Sequence, residues 1–583
     1  MSTADTKYKK GDEVYVFYSM NKRCQRHRKY MAVLDPRHGS FRPRVGISEG
    51  WVPARVAADQ EAPDKVRIEY RWPYFYTMRG QMADPPGFGR EPWTELYPAP
   101  HVMPAGDPDE RGAPFRALVP PGSQPELAVL AFRWGGMNEI IAPEQWGETG
   151  SSVSDLFLES FVDMAVVPQL GTDYEVWTVY VEDQTDLVKL ADTVHLVFGQ
   201  HHPARRAKRT VGMFFLYPTG FEENCVPNYE TGEDHGAAMV DRKSLFRLMK
   251  ACEKAGIPTR FPHPSNFYQQ LTSKDWTHLM SVVPHLRVPP TVAMPRMLVE
   301  RSCRDAAEKG IASLRALKRH QAELRGEPPE GEITKGVAKL SYSWEALDVK
   351  FWEGPRGLEE ALHNLTQFIE ISQEFTGQPH DCENIIVQAP AVHQRRSRPG
   401  RSWGQEFCEH DLELRMYVVD GVIESQIFTK FCKIKENREF GDFKQTFSKS
   451  QAAKDWMGGD HAAMDDGERQ CRELTDHWLA WAQAQLCEMP PAIRFDYFVG
   501  RSSAGGGKAV VWTLEICELG FSMLGESKLP AKVFQAMLQS CLECSQADSA
   551  ADEDQEPAKT GAEGPASKGA PDVAVPKKSR RRR

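Results

Sequence analysis

The chain has 583 residues and a formal net charge of −9 at pH 7, with 41% hydrophobic and 26% charged residues. This size predicts several domains of a globular protein. The negative charge argues against general nucleic-acid binding, and no apolar run is long enough to span a bilayer. The segment Met1–Lys10 is polar, so it does not resemble a secretory signal. The twelve cysteines are scattered, which favours reduced thiols in the cytoplasm or nucleus.

Residues 8–100 indicate a small β module. A turn at Gly11 leads into a strand, and two more strands are predicted at Trp51–Val56 and Lys65–Tyr70. The glycine–acidic turn and the Trp-x-x-Ala-x-Val strand resemble SH3-like barrels of the Tudor type. Aromatic residues crowd the end of the module: Tyr70, Trp72, Tyr74, Phe75 and Tyr76. They either line a cage for a methylated cation, as the resemblance implies, or fill the core and rim of a small barrel.

Residues 101–125 are rich in proline and glycine, which is typical of a linker. Residues 126–240 then indicate an α/β domain. Its strands are predicted at Leu127–Phe132, Val176–Val181, Val194–Phe198 and Val211–Tyr217. The basic cluster Arg205–Arg209, between two of these strands, is either a solvated loop or a contact for phosphate or an acidic substrate.

Helices are expected in the second half of the chain. Residues 241–256 repeat apolar positions at helical spacing, with Asp241 as a cap and Gly256 as a stop. Further helices are predicted at 297–325, 358–375, 467–488 and 529–545. Residues 546–583 almost lack large apolar side chains and are predicted to be disordered. Their basic end indicates either a nuclear-import signal or a contact for an acidic protein partner.

Two acidic strands near the end form a candidate hairpin. Ile493–Val499 and Val510–Glu518 are apolar around Asp496 and Glu515, and a glycine-rich turn at residues 503–507 joins them. Carboxylates in apolar strands are costly to bury unless something pairs with them, and Mg²⁺ holding phosphates is a common partner. The alternative is that both carboxylates lie on the wet face of the hairpin.

Four segments occur in a recognisable order between residues 270 and 520. They are Ser273–Trp276 with Leu286–Thr291, Gly336–Ser343 with Val349–Lys350, Asn384–Ala389 with Glu413–Gly421, and the acidic hairpin. Together they resemble the ATP-grasp superfamily, over about residues 241–545. The resemblance implies an α+β multidomain protein, in which an ATP-grasp fold follows an α/β pre-grasp domain and a small N-terminal β-barrel.

The resemblance implies roles for several basic and hydroxyl side chains. Lys274 and Lys339 would neutralise nucleotide phosphates, and a loop containing Ser341 and Ser343 would close over them. Arg415, in an acidic-x-Arg strand, would stabilise charge on the transferred phosphoryl group. Without such a role, Lys274 would be a surface lysine at a helix start, and Arg415 would lie on a solvent-facing strand.

Val387, Gln388 and Ala389 match the hinge of the family, whose backbone edge pairs with adenine. Many members follow the hinge with a glutamate for the ribose, whereas this chain continues with Pro390. The residue identities at the hinge therefore leave the ribose contact unassigned.

Asp496 and Glu515 match the metal carboxylates of the family. Relatives usually place an asparagine where Cys517 stands, and a thiol is a poor ligand for a hard cation. Glu518 follows directly and would be the substitute ligand. This departure leaves open a domain that binds ATP without turning it over.

The resemblance implies an ATP-dependent carboxylate–amine ligase that uses ATP and Mg²⁺ and forms an amide through an acyl phosphate. Its substrates would be a small-molecule or peptide carboxylate and an amine, with no membrane and no specific nucleic acid as partner. The alternative is a non-catalytic nucleotide-binding scaffold, or a reader of modified peptides that uses the N-terminal barrel. Either protein would be cytoplasmic or nuclear.

Overall fold

The computed structural model shows a mixed α/β protein built on three β-sheets. It describes residues 8–18, 44–60, 62–70, 75–76, 82–83, 93–104, 124–134, 153–181, 184–199, 202–216, 242–261, 264–326, 332–341, 349–376, 384–389, 410–431, 443–485, 488–502, 505–517 and 526–544. Within these residues, no helix is both long enough and apolar enough to cross a membrane.

The N-terminal strands form an antiparallel arrangement in the order β7-β1-β2, with β3 on β2 and β6 on β3. They are β1 Glu13–Tyr18, β2 Arg44–Val56, β3 Lys65–Tyr70, β4 Phe75–Tyr76, β5 Met82–Ala83, β6 Trp93–Pro98 and β7 Val102–Pro104. A 3-10 turn, Ala99–His101, separates β6 from β7. The three strands expected in this region are present, and β2 starts seven residues before the predicted Trp51.

Strand β2 belongs to two parts of the molecule at once. Its second half pairs with β1, whereas its first half pairs antiparallel with β9 Tyr174–Val181 of the following α/β region. The Tyr174 hydroxyl donates to the buried Glu49 carboxylate at 2.5 Å beside this junction. The N-terminal strands are therefore continuous with the α/β sheet through one shared strand.

The α/β region has a parallel sheet in the order β9-β8-β10-β11. Its other elements are β8 Leu127–Trp134, β10 Arg209–Phe215, β11 Thr259–Phe261, α1 Val153–Phe161, α2 Val167–Leu170, α3 Gln184–Val197 and α4 Arg242–Lys254. The strands are almost continuously apolar because both of their faces are covered. The strand predicted at Val194–Phe198 is wrong: it is the end of α3, where Leu187, Leu190 and Val194 share one buried face.

The basic cluster at residues 205–209 is held by the protein itself. Arg205 donates to the carbonyl oxygens of Ala255 and Gly256, at 3.2 and 2.7 Å. Lys208 and Arg209 both pair with Glu126. These contacts favour a structural role for the cluster over a phosphate contact.

The second sheet has the order β12-β15-β13-β14 and is antiparallel. Its elements and neighbouring helices are α5 Ser265–Leu271, α6 Trp276–Met280, β12 Thr291–Pro295, α7 Arg296–Arg301, α8 Cys303–Arg325, β13 Lys335–Leu340, β14 Val349–Glu353, α9 Gly354–Thr376 and β15 Asn384–Gln388. The helix expected at 297–325 is interrupted at Ser302, whose hydroxyl accepts from the Asp305 N–H and caps α8. Helices α8 and α9 cover one face, and Lys339 projects from the other.

The third sheet has the order β18-β17-β16-β19-β20 and is antiparallel. Its elements and helices are β16 Leu412–Val419, β17 Val422–Phe431, β18 Phe443–Thr446, α10 Lys449–Trp456, α11 His461–Ala484, β19 Ala492–Arg501, β20 Ala509–Cys517 and α12 Leu529–Glu543. Helix α11 covers one face, where the Tyr497 hydroxyl bonds that of Thr475 at 2.8 Å. Cys541 and Cys544 lie buried in the core around α12.

Helix α11 starts six residues earlier than the predicted residue 467. Asp460 caps it by accepting from the Ala463 N–H at 2.9 Å. Gly467 is an interior residue of α11 at a close helix–sheet contact. A Cβ there would lie 2.6 Å from Val499 Cγ1.

Gly336 provides a test of the second sheet, because a Cβ at this position would lie 2.2 Å from the Gln388 carbonyl oxygen and 2.7 Å from the Trp352 ring. We expect Gly336→Ala to lower the free energy of unfolding by about 1–3 kcal/mol. The matched control is Gly310→Ala in α8, where the nearest atoms lie at 3.7 and 3.8 Å and alanine is the better helix former. Urea unfolding followed by circular dichroism measures both, and equal midpoints for the two variants would contradict this packing.

Candidate functional site

The third sheet carries a row of charged side chains on the face opposite α11. In the antiparallel register, Arg415 of β16 lies opposite Asp496 of β19, and Asp496 lies opposite Glu515 of β20. Residues two positions away share this face because side chains alternate along a strand. The row therefore extends to Glu413, Tyr417, Arg494 and Cys517.

A β-bulge at Leu514 decides which face the acidic residues occupy. Glu515 pairs with Asp496, but Thr513 pairs with Tyr497, so β20 has one extra residue here. Thr513 consequently points toward α11, where its hydroxyl accepts from Trp478 Nε1 at 3.1 Å. Without the bulge, Thr513 and Glu515 would lie on the same face.

The donor atoms of Asp496, Glu515 and Cys517 all lie within 4.8 Å of one another. Asp496 is 1% exposed, whereas Glu515 is exposed and Cys517 is half-buried, so the cluster opens to solvent on one side. Two carboxylates suit one Mg²⁺ ion that takes its other ligands from phosphate and water. The sulfur does not suit a second hard cation. Glu518, the predicted substitute ligand, lies outside the described residues.

Arg494 is the site residue that the sequence analysis missed. Its Nε and Nη2 each lie 2.8 Å from one oxygen of Asp496, and Nη2 also lies 3.1 Å from Cys517 Sγ. Burial opposes the charged form of Arg494, but Asp496 and Cys517 overcome this effect and raise its pKa well above the ordinary value. The only sequence signal was its position two residues before Asp496, which puts both side chains on one face.

Arg415 lies in a buried row rather than on a solvent-facing strand. Its Nη2 donates to Glu413 Oε2 at 3.3 Å, and the Thr429 hydroxyl donates to the same oxygen at 3.3 Å. Burial, opposed by Arg415 and aided by the charge of Asp496, raises the pKa of Glu413 to about 7. Two arginines and three carboxylates thus converge on this face, since Arg494 and Glu515 lie beside them.

The predicted phosphate-binding residues lie on and beside β13. Lys339 is 8% exposed and Ser341 is buried. The Lys274 N–H donates to the Ser341 carbonyl at 2.6 Å, so the backbone at Lys274 lies beside the end of the strand that carries Lys339. Ser343 lies outside the described residues.

The predicted hinge differs from the expected free backbone edge. Val387 and Gln388 lie in β15, between β12 and β13, so sheet partners flank them on both sides. The Ala389 N–H donates to the Pro290 carbonyl at 2.9 Å. An adenine contact would therefore fall to the Ala389 carbonyl or to residues beyond it, because antiparallel ladders use the backbone groups of an interior strand.

The segment before β12 joins the second sheet to the third. The Thr513 N–H donates to the Arg287 carbonyl at 2.9 Å, and the Thr513 hydroxyl donates to the Leu286 carbonyl at 2.7 Å. Arg287 has a left-handed backbone with φ of 47°, an unusual conformation for a residue other than glycine. The carboxylate strand β20 is thus attached directly to the chain that enters the sheet of Lys339.

Comparisons with known proteins do not assign a family. No protein-family model matches the chain, and no curated protein matches it. Among solved structures, D-cycloserine synthetase DcsG aligns over 72% of this chain and 100% of its own, at 13% identity and a TM-score of 0.34. The D-alanine–D-alanine ligase from Bacillus anthracis complexed with ATP covers 73% and 99%, at 12% identity and a TM-score of 0.35. ATP-grasp ligase PsnB covers 71% and 99%, at 12% identity and a TM-score of 0.32. These low scores leave the function to be argued from the site itself.

The pKa of Glu413 predicts a pH dependence of stability. The pKa of Glu413 rises from 4.5 to about 7 on folding, so its protonation stabilises the folded state. This contribution to the free energy of unfolding is fully present below pH ~4.5 and is lost as the pH rises through 7. We expect the free energy of unfolding of the wild type to fall relative to Glu413→Gln across this interval, and their difference to be constant above it. Denaturant unfolding of both proteins at several pH values measures this difference, and parallel curves would show that Glu413 does not take up a proton on folding.

Proposed function

We propose that the chain is an ATP-dependent carboxylate–amine ligase of the ATP-grasp type, with residues 241–545 as its ATP-grasp domain. The observation that supports this most is the pairing of Asp496 with Glu515 in a cluster that opens to solvent. Arg415 and Arg494 lie on the same face. Such a surface combines a cation-binding position with fixed positive charge, which phosphoryl transfer requires.

The chemistry follows from these side chains. Lys339 and Lys274 neutralise nucleotide phosphate, and Arg415 and Arg494 offset the charge that develops on the transferred phosphoryl group. A bound Mg²⁺ ion, held by Asp496 and Glu515, would supply charge neutralisation at the β- and γ-phosphates.

A substrate carboxylate oxygen attacks the γ-phosphorus, and the bond to the bridging oxygen breaks to release ADP. An amine nitrogen then attacks the acyl carbon of the acyl phosphate. Phosphate leaves with the bonding electrons, and the amine loses its proton to solvent or to the departing phosphate. Positioning and electrostatics carry both steps.

This mechanism needs no nucleophile from the protein. Burial raises the pKa values of the Cys252, Cys471 and Cys541 thiols, which keeps them protonated. They belong to apolar cores and do not lie on the charged face of the third sheet.

We further propose that residues 126–240, together with α4 and β11 of the same parallel sheet, form a pre-grasp domain, and that residues 8–100, together with β7, form an SH3-like barrel. The strand order β7-β1-β2-β3-β6, with a 3-10 turn between β6 and β7, supports the barrel. Trp72 and Tyr74 lie outside the described residues, and the side chains of Tyr70, Phe75 and Tyr76 are not described. The cage for a methylated cation therefore stays a prediction. The cytoplasmic or nuclear location also stays a prediction, because the basic tail that indicates nuclear import belongs to residues 546–583, outside the described part.

A second candidate function is nucleotide binding without turnover. It is favoured by Arg494, which occupies both oxygens of Asp496, and by the sulfur at Cys517. In this case the protein would bind adenine nucleotides but release no ADP with any pair of acid and amine. The N-terminal module would then supply the partner contacts of a scaffold or reader.

The first test is the melting temperature of the protein with ATP, ADP or GTP, each with and without Mg²⁺. Ligand at one hundred times its Kd stabilises the native state by about 2.7 kcal/mol, so a Mg²⁺-dependent rise with adenine nucleotides is expected. A subsequent screen of carboxylates and amines by ADP release separates the ligase from the binding protein. If no nucleotide raises the melting temperature, both the ligase and the nucleotide-binding proposals are overturned.

Two variants test which residues cause the Mg²⁺-dependent part of the rise in melting temperature. We expect Glu515→Gln and Asp496→Asn to remove that part and to abolish Mg²⁺-dependent ATP turnover. Glu515 is exposed, so its substitution leaves the fold intact, whereas Asp496→Asn also leaves a buried guanidinium without its counter-ion, at about 3–5 kcal/mol. The matched control is Asp64→Asn in an exposed turn before β3. Full turnover in Glu515→Gln would show that the hairpin does not hold the metal.

A further inference from the structure

The third donor of the carboxylate cluster is a sulfur atom. Asp496, Glu515 and Cys517 come from two paired strands, and their donor atoms lie within 4.8 Å of one another. Mg²⁺ takes oxygen ligands and gains little from a thiol, whereas Zn²⁺, Co²⁺ and Cd²⁺ bind thiolates well. The donor set therefore distinguishes between classes of cation.

We propose that this cluster binds a thiophilic divalent cation, such as Zn²⁺ or Co²⁺, more tightly than Mg²⁺, with Cys517 as a thiolate ligand. The inference concerns the metal of the site described above, and so it rests on the proposed function. It predicts that such a cation binds without nucleotide, because the protein supplies three ligands. Mg²⁺ has only two protein carboxylates here and depends on nucleotide phosphate for the remainder.

The arrangement matches the pattern of reactive zinc sites, which have three protein ligands and one open position. Zinc binds sulfur at about 2.3 Å and carboxylate oxygen at about 2.0–2.2 Å, so neighbouring ligand atoms of a tetrahedron lie about 3.5 Å apart. The spread of 4.8 Å is compatible with this spacing after small rotations of the side chains. Glu515 is exposed, which leaves a path for the cation and for a fourth ligand.

A thiophilic cation would bind Cys517 as a thiolate. Binding breaks the S–H bond of Cys517, forms a metal–sulfur bond and releases the proton to solvent. Two carboxylates and a thiolate then balance the divalent cation and the nearby Arg494. Arg494 donates to both oxygens of Asp496 and lies 3.1 Å from Cys517 Sγ, so a bound cation would share these two ligands with the guanidinium.

Cadmium is the probe, because a cadmium–thiolate bond has an ultraviolet charge-transfer band. Cd²⁺ is titrated into the metal-free, full-length protein in the absence of nucleotide. The chain has twelve cysteines, so the difference between wild type and Cys517→Ser is measured rather than the total band. The matched control is Cys303→Ser, since that half-buried thiol donates to the Val299 carbonyl and lies outside the cluster.

We expect wild type and Cys303→Ser to bind Cd²⁺ equally and Cys517→Ser to lose at least about tenfold in affinity, because loss of even an outer-shell partner of a metal ligand costs about 10–100-fold. Zn²⁺ should displace Cd²⁺ from the wild type, and Mg²⁺ should not do so even in large excess. Cys517→Asn, which also lacks the sulfur, should lose the band as well. Melting curves of the variants without metal confirm that each one is folded.

An unchanged band in Cys517→Ser overturns the inference, and so does displacement of Cd²⁺ by Mg²⁺ as readily as by Zn²⁺. The test is independent of the test of the ligase function. A Mg²⁺-dependent shift with ATP, together with no Cys517-dependent band, overturns the thiophilic site alone. A Cys517-dependent band without any nucleotide-induced shift supports the metal site and overturns the ligase proposal.

Discussion

The buried pair of Arg494 and Asp496 constrains the rest of the site. Each charge is removed from water, and the cost of this is offset only when both hydrogen bonds of the fork are made. The 2.8 Å contacts meet that requirement within a single strand. Because β19 lies between β16 and β20, this pair also sets the side on which Arg415 and Glu515 can join it.

The bulge in β20 lets one hairpin serve two purposes. Thr513 faces α11 and ties the strand to Trp478 and to the Leu286 carbonyl, whereas Glu515 faces the charged row. A regular strand would have to place both residues in the core or both at the site. The irregularity therefore separates the residues that stabilise the sheet from those available to a ligand.

The three sheets are connected more closely than a chain of separate domains would be. Strand β2 runs from the N-terminal strands into the parallel sheet, and α12 packs against both the parallel sheet and the end of the third sheet. The segment before β12 hydrogen-bonds to β20. Shared strands, packing and hydrogen bonds therefore connect the three sheets.

Local patterns in the sequence were sufficient for much of the secondary structure. Apolar runs around single acidic residues located β19 and β20, and helical spacing located α4, α9 and α12, because both patterns depend on residues near one another in the chain. The candidate hairpin placed Asp496 and Glu515 on neighbouring strands, and the structure pairs them directly. Val194–Phe198 was misassigned as a strand because a short apolar run suits a strand and a buried helix end equally well.

The tertiary structure decided the features that depend on distant segments. It placed β15 between two partners, so that Val387 and Gln388 lack the free edge expected of a hinge. It extended β2 into a second sheet and brought Arg494 onto Asp496 and Cys517. The sequence by itself determined which residues carry charge and how they alternate. Strand order, register and the bulge determined which of them meet, because those properties arise from pairing between segments far apart in the chain.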